Sequence, residues 1–254
     1  MVVTAGAAYW LLSDDAMSVA APRVTGELHY TDAQQILAAA GVGDGQHPNV
    51  VKLRTDAMRG AIMSLPAIAD AQVTTGLPND VNISVVERAP ILAWQRNGTT
   101  YLVDADGLVV AAVDAAQAGA LGVPLITDQR TQFVSDISVG GQLDQLDLAA
   151  VLQLGAITPA TIDSSAASLA VGVRDDDGFV LSAAPGGWQA IFGQYTPNLR
   201  PVDLIPRQVQ CLRSLLADRE HDAQTIYLAP LDERCGTYVP VATPRATPSP
   251  AAAH

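Results

Sequence analysis

Between Leu65 and Pro90 the chain reads LPAIADAQVTTGLPNDVNISVVERAP, and its hydrophobic pattern changes period within that stretch. Leu65-Pro66 closes a helical segment, because the residue before a proline is pushed out of the α region. Ala71 to Thr75 carries Val73 and two threonines and suits a strand. Gly76-Leu77-Pro78-Asn79-Asp80 is dense in turn formers. Val81, Ile83 and Val85 then alternate with Asn82, Ser84 and Val86, the period of a half-buried strand, until Pro90 stops it. Upstream, an extended segment ends at Val24-Thr25-Gly26. Thr31 reads as the N-cap of a helix whose inward face is Ile36, Leu37 and Ala40. A second helix begins at Leu53-Arg54-Thr55-Asp56, with Met58, Ile62 and Leu65 at core spacing.

Downstream of Pro90, Ile91 to Gln95 and Thr99 to Val103 flank Asn97-Gly98, a strong hairpin signal. Asp104-Ala105-Asp106-Gly107 makes a further turn before Leu108-Val109-Val110. Val113 to Gly122 reads as a loop and Gly122 to Thr127 as a short extended piece. Leu143 to Leu154 has helical spacing. Ser168 to Val173, Gly178 to Ala183 and Gly187 to Phe192 form a three-stranded meander with turns at Asp175-Asp176-Asp177-Gly178 and Pro185-Gly186-Gly187. Pro206 suits the first turn of a helix, with Ile205, Val209, Leu212 and Leu216 as its apolar face. Thr225 to Ala229 and Thr237 to Val241 are the last strands. From Ala242 onward the chain is too poor in apolar bulk to pack, and residues 242–254 read as a disordered tail.

The order of these landmarks resembles the FtsQ/DivIB family of bacterial cell-division proteins. It rests on the strand ending in Val24-Thr25-Gly26, the helix capped near Thr31-Asp32, Leu65-Pro66 and Leu77-Pro78. Glu87-Arg88-Ala89-Pro90 followed by Trp94, and the hairpin Leu102-Val103-Asp104-Ala105-Asp106-Gly107, continue it. The second half follows the family order more weakly, through Phe192-Gly193, the leucine-ended helix and two strands. Arg207 stands where members often carry lysine, and Tyr227-Leu228-Ala229 where they often show Asp-Leu-Arg. The resemblance implies an α+β fold. A POTRA domain of β-α-α-β-β order over residues 18–88 is followed over 89–241 by a mainly antiparallel β domain with flanking helices. It also implies a membrane-anchored extracytoplasmic scaffold at the division site of the plasma membrane, supporting septum formation, without enzyme activity or cofactor.

Composition narrows the alternatives. The net charge is −12 over 254 residues. An acidic chain repels nucleic-acid phosphates and anionic lipid head groups, so neither is an expected partner for its bulk. His29, His47, His221 and His254 sit in no zinc or nucleophile motif. Asp104 and Asp106 lack the further carboxylates of a calcium loop, so no metal site is expected. Two other readings stay open: a POTRA-bearing envelope secretion component and an envelope enzyme of unrecognised type. The first would need tandem POTRA units or many ten-residue barrel strands, which a chain of this length does not supply.

Three expectations concern the ends of the chain. Val2 to Leu12 (VVTAGAAYWLL) is apolar but about half a spanning helix, and it lacks the basic flank of a signal peptide. Residues 1–17 therefore read as a lead-in or buried helix. The resemblance favours the outer half of a membrane anchor whose start is missing, with Tyr9-Trp10 at the interface. Cys211 and Cys235 are either two unrelated buried thiols or, outside the cytoplasm, a disulfide. Because the family packs that helix on that sheet, the resemblance makes them neighbours. Finally, the family's last strands recruit small bitopic division proteins, FtsB/DivIC-like and FtsL-like, which continue the sheet. Carried here, the partner-binding candidates are Ile226, Tyr227 and Leu228, then Thr237, Tyr238, Val239 and Val241. Independently of the resemblance, Pro240 has no N–H for a central ladder, which argues for an edge strand. An ordinary edge blunted by Pro240 is the alternative.

Overall fold

A computed structural model describes residues 17–132, 136–185, 187–229 and 235–241. The anchor or lead-in expected over 1–17 and the tail expected over 242–254 lie outside the described residues except for Met17, which is buried in the core with Ile36 and Ile83. The chain falls into two compact units, one of Met1–Trp94, Gly98–Val123 and Asp136–Leu143, the other of Gln95–Asn97, Pro124–Ser135 and Asp144–His254.

The first unit opens with β1 (Arg23–Thr25), α1 (Ala33–Ala39), α2 (Thr55–Met63), β2 (Ile68–Gly76) and β3 (Asp80–Glu87). This is the expected β-α-α-β-β order. The sheet runs β1-β3-β2, with β1 parallel and β2 antiparallel to β3. Val81, Ile83 and Val85 are buried on β3, and they pack with Ile36, Met58 and Ile62 from the helices. The alternation therefore places one β3 face against the helices, as the period of two requires.

Two details differ from the sequence expectation. β2 starts three residues earlier than Ala71, because a bulge at Asp70 lets Ile68 pair with Glu87. The cap of α1 is Asp32, which accepts from the Gln35 N–H at 2.8 Å. Thr31 is not the cap, since its own N–H is held by Glu87 at 2.9 Å. The Glu87 carboxylate also accepts from the backbone N–H groups of His29 (2.6 Å) and Tyr30 (3.0 Å). One nearly buried side chain at the end of β3 thus fixes the entry to α1.

The chain continues with β4 (Leu92–Arg96), β5 (Thr99–Val103), β6 (Val109–Val113) and α3 (Ala115–Ala120), all in the first unit except Gln95 and Arg96 of β4. The Asn97-Gly98 turn has both residues at positive φ, 50° and 80°, as a two-residue hairpin demands. Arg88 pairs with Asp104 at 2.8 Å, and Asp104 also accepts from the N–H groups of Asp106 and Leu108. The loop expected over Val113 to Gly122 is in fact the short helix α3. A capping box between Asp114 and Gln117 starts it.

The second unit holds β7 (Leu125–Asp128), α4 (Gln145–Leu154), β8 (Ser168–Arg174), β9 (Gly178–Ala184), β10 (Gln189–Gly193), α5 (Ile205–Leu216), β11 (Ala223–Leu228) and β12 (Gly236–Pro240). The strands lie in the order β12-β11-β10-β9-β8-β7. Their pairings are antiparallel except β7 with β8 and β10 with β11. A parallel pair cannot be joined by a tight turn, and in each case a helix makes the connection: α4 before β8, α5 before β11. The face of α5 turned to the sheet is Ile205, Gln208, Cys211, Leu212 and Leu216, all buried. Val209 is only half-buried; Gln208 takes its place, satisfied by the Tyr195 hydroxyl (2.8 Å) and the Phe192 carbonyl (3.0 Å).

The Glu87 arrangement gives a direct test. Replacing Glu87 by Ala leaves three backbone donors without their acceptor, and the expected loss is about 2–3 kcal/mol. Glu87→Gln, which keeps an acceptor oxygen but not the charge, loses less. Urea unfolding of the two variants beside the parent measures both.

Candidate partner-binding edge

The last hairpin is built on α5. β11 lies between β10 and β12, while β12 ends the sheet order and pairs only with β11. The partners are Tyr227 with Thr237, Ile226 with Tyr238 and Thr225 with Val239. Paired residues share a face. Ile226 and Leu228 are 0% and 4% exposed and belong to the face packed by α5. Tyr238 shares that face and is half-buried. Tyr227, Thr237, Val239 and Val241 are exposed; Tyr227, Val239 and Val241 reach 47%, 45% and 53%. The candidates therefore divide. Ile226 and Leu228 are core residues of an interior strand, and the remaining five lie on or beside the end of the sheet.

The ladder also fixes which backbone groups point away from it. At one end of β12 the Ala229 N–H donates to the Cys235 carbonyl, and at the other the Val241 N–H donates to the Asp222 carbonyl. Odd-numbered residues thus face β11. Gly236, Tyr238 and Pro240 turn their backbone outward. Pro240 stands at one of the outward positions, where its missing N–H costs no bond to β11. Gly236 has φ +144°, and a Cβ there would run into the Tyr227 carbonyl, so this strand start admits only glycine.

Two contacts hold the hairpin from α5 and the turn after it, and a third fixes that turn. Cys211 on α5 and Cys235 just before β12 are joined by a disulfide, with Cα atoms 4.9 Å apart. The Arg219 guanidinium lies over the Tyr238 ring, 5.8 Å from its centroid. Glu220 accepts from the Ser164 hydroxyl, from the Ser165 N–H at 2.8 Å and from Trp188 Nε1 at 2.9 Å. Burial pushes the Glu220 carboxyl up, but those donors more than offset it and bring its pKa down to about 2.

Residues 17–88 match the family described as POTRA domain, FtsQ-type. Three relatives, each named Cell division protein FtsQ, share identity with the chain. That of Zymomonas mobilis subsp. mobilis is 32% identical over 34% of this chain and 27% of the relative. That of Streptomyces griseus is 34% identical over 37% of the chain and 43% of the relative. That of Streptomyces collinus is 28% identical over 69% of the chain and 66% of the relative. Residues 17–88 thus form a POTRA domain of the FtsQ type, and the chain is similar to FtsQ cell-division proteins beyond it. The first-named relative is matched over about a quarter of its length, the Streptomyces collinus one over two thirds.

The ionisable groups outside the last hairpin are informative by being occupied. A cleft of about 340 Å³ is lined by Arg130, Asp147, Asp175 and Tyr195 among others. Arg130 is clamped by Asp128 (3.0 Å) and Asp147 (2.7 Å), and Asp175 accepts from the Thr131 hydroxyl and the N–H groups of Thr131 and Gln132. Burial pushes the Asp147 carboxyl up despite Arg130. Among the described residues no group of three His, Cys, Asp or Glu side chains is arranged to hold a metal ion. Sequence reasoning missed Gly236, Arg219 and Glu220. Gly236 had a legible signal, a glycine directly before a strand, whereas nothing in the order of residues brings Glu220 to Ser164 and Trp188.

The last hairpin and the turn before it yield two measurements. The folded pKa of Glu220 lies below its unfolded value of roughly 4.3, so its contribution is fully present above that value and is lost as pH falls through about 2. Melting temperatures taken between pH 5 and pH 2 should fall more steeply for the parent than for Glu220→Gln. Opening the disulfide by Cys211→Ser with Cys235→Ser releases a loop with a sequence separation of 24. The expected cost is about 3–4 kcal/mol from chain entropy, read by urea unfolding of the parent with and without reductant beside the double variant.

Proposed function

We propose that this chain is a membrane-anchored extracytoplasmic scaffold of the bacterial division machinery, acting at the division site to support septum formation. Its POTRA domain spans residues 18–88 and its β domain residues 89–241. It recruits small bitopic division proteins, FtsB/DivIC-like and FtsL-like, through a strand added to the outer side of β12. No described helix is long and apolar enough to cross a membrane; the anchor is assigned to the apolar run at the start of the chain.

The observation that carries this reading is the outward backbone of Gly236, Tyr238 and Pro240. Among the described residues no side chain takes those groups. A partner strand would find two donors, at Gly236 and Tyr238, and three acceptors. Main-chain bonds of this kind supply affinity, and the side chains on alternating faces supply selectivity.

Because the Tyr238 ring lies against α5, changing it to a charge would disturb packing as well as the edge. A pair of variants separates the two, because Tyr238→Ala removes the ring and keeps the outward N–H whereas Tyr238→Pro removes both, so capture by Tyr238→Pro is read against Tyr238→Ala. Tyr238→Pro removes an outward N–H, while Thr237→Pro removes one bonded to β11. In a pull-down with the FtsB/DivIC-like protein of the same organism, Tyr238→Pro should lose capture at least tenfold. Its melting temperature should stay well above that of Thr237→Pro. Undiminished capture by Tyr238→Pro would move the site to the POTRA strands.

A further inference from the structure

Arg219 sits at the turn between α5 and β11, and its position is unusual in an acidic chain. Its side chain is exposed. It makes no ion pair among the described residues, and its one side-chain partner is the face of the Tyr238 ring. Asp218, Glu220 and Asp222 flank it in sequence, but Glu220 is committed to Ser164, Ser165 and Trp188. Tyr238 is itself the middle of the three residues whose backbone points away from β11. A cation is therefore held, by an aromatic ring, beside the central position of the free edge.

We propose that Arg219 selects the incoming strand by pairing with a carboxylate placed directly opposite Tyr238. The inference rests on strand addition at β12 and specifies its register. Cross-strand neighbours have Cβ atoms about 5 Å apart and share a face. A residue opposite Tyr238 therefore projects its side chain on the α5 side, toward the guanidinium. Residues one place before and after it project to the other face, beside Thr237 and Val239. The recognised strand thus carries Asp or Glu at its centre, flanked by β-branched or other apolar residues that extend the exposed row of Tyr227, Val239 and Val241. Arginine suits the role because its planar fork stacks on the ring while its N–H groups remain free for a carboxylate. The net charge of −12 opposes an acidic partner at long range, so the selecting contact has to be local, and Arg219 supplies it.

Calorimetric titration of the full chain with the FtsB/DivIC-like protein tests this. Arg219→Gln should weaken binding about tenfold and flatten its dependence on salt. Arg219→Lys, which keeps the charge but not the planar fork, should recover only part of the affinity, and Arg219→Glu should weaken it further. Replacing each Asp and Glu of the partner's captured segment by Lys, one at a time, should reveal a single change that restores binding to Arg219→Glu. If Arg219→Glu binds as tightly as the parent, or more tightly, while Tyr238→Pro still abolishes capture, the carboxylate pairing is wrong and strand addition stands. If Tyr238→Pro binds normally, strand addition fails and this inference with it. The Arg219 variants lose the contact with the Tyr238 ring but leave no buried group unpaired, so their melting temperatures should fall by no more than a few degrees from the parent.

Discussion

The parallel pairing of β10 with β11 is the constraint on which the last third of the chain depends. Two parallel strands side by side cannot be closed by a hairpin, so the chain must leave the sheet after Gly193 and return at Ala223. α5 is that return path, and an amphipathic helix on it covers one face of β10, β11 and β12. Ile226 and Leu228 are buried for that reason, whereas Tyr227, one residue away, is not. The helix also brings Cys211 within reach of Cys235 and leaves Arg219 beside Tyr238. Had β11 been antiparallel to β10, a short turn would have sufficed, and β12 would have had no helix to be fastened to.

Fastening matters because β12 is short and has one neighbour. Five residues paired on one side fray readily, and an edge that frays cannot offer a fixed register. The disulfide holds its first end through Cys235, and the Val241 N–H to Asp222 carbonyl bond, 2.8 Å, holds its last. Between those anchors the alternation of the ladder sends every second backbone group outward. Proline is tolerated there only because it occupies an outward position.

How much of this was legible in the sequence varies with the physics of each element. The alternation of Val81, Ile83 and Val85, the Asn97-Gly98 turn, the meander from Ser168 to Phe192 and the helix after Pro206 were legible, because short-range periodicity or one turn residue decides them. α3 was not: AAQAGA has no apolar period, and only the Asp114–Gln117 capping box marks its start. β2 is longer than its strand-forming residues suggest, because the bulge at Asp70 extends the pairing to Ile68. For the candidate edge, Pro240 argued for an edge strand, and β12 does end its sheet. Grouping Ile226, Tyr227 and Leu228 together ignored the alternation that sends the middle residue to the opposite face. Arg219 and Glu220 lay beyond reach, since their roles depend on contacts across the fold.

The other sheet end shows what a covered strand looks like in the same chain. β2 terminates the order β1-β3-β2, as β12 terminates its own sheet. There Arg59 on α2 donates from Nε to the Ala71 carbonyl at 2.7 Å, and from Nη2 to Asp70 at 2.7 Å. A bulge between Ile68 and Asp70 interrupts the ladder at the same place. Both are devices by which proteins discourage pairing at an edge. On β12 the corresponding cation, Arg219, turns to an aromatic ring and leaves the outward backbone uncovered. The fold thus uses a side chain to blunt one edge and a disulfide to steady the other, and the proposed strand addition rests on that difference between a covered and an uncovered edge.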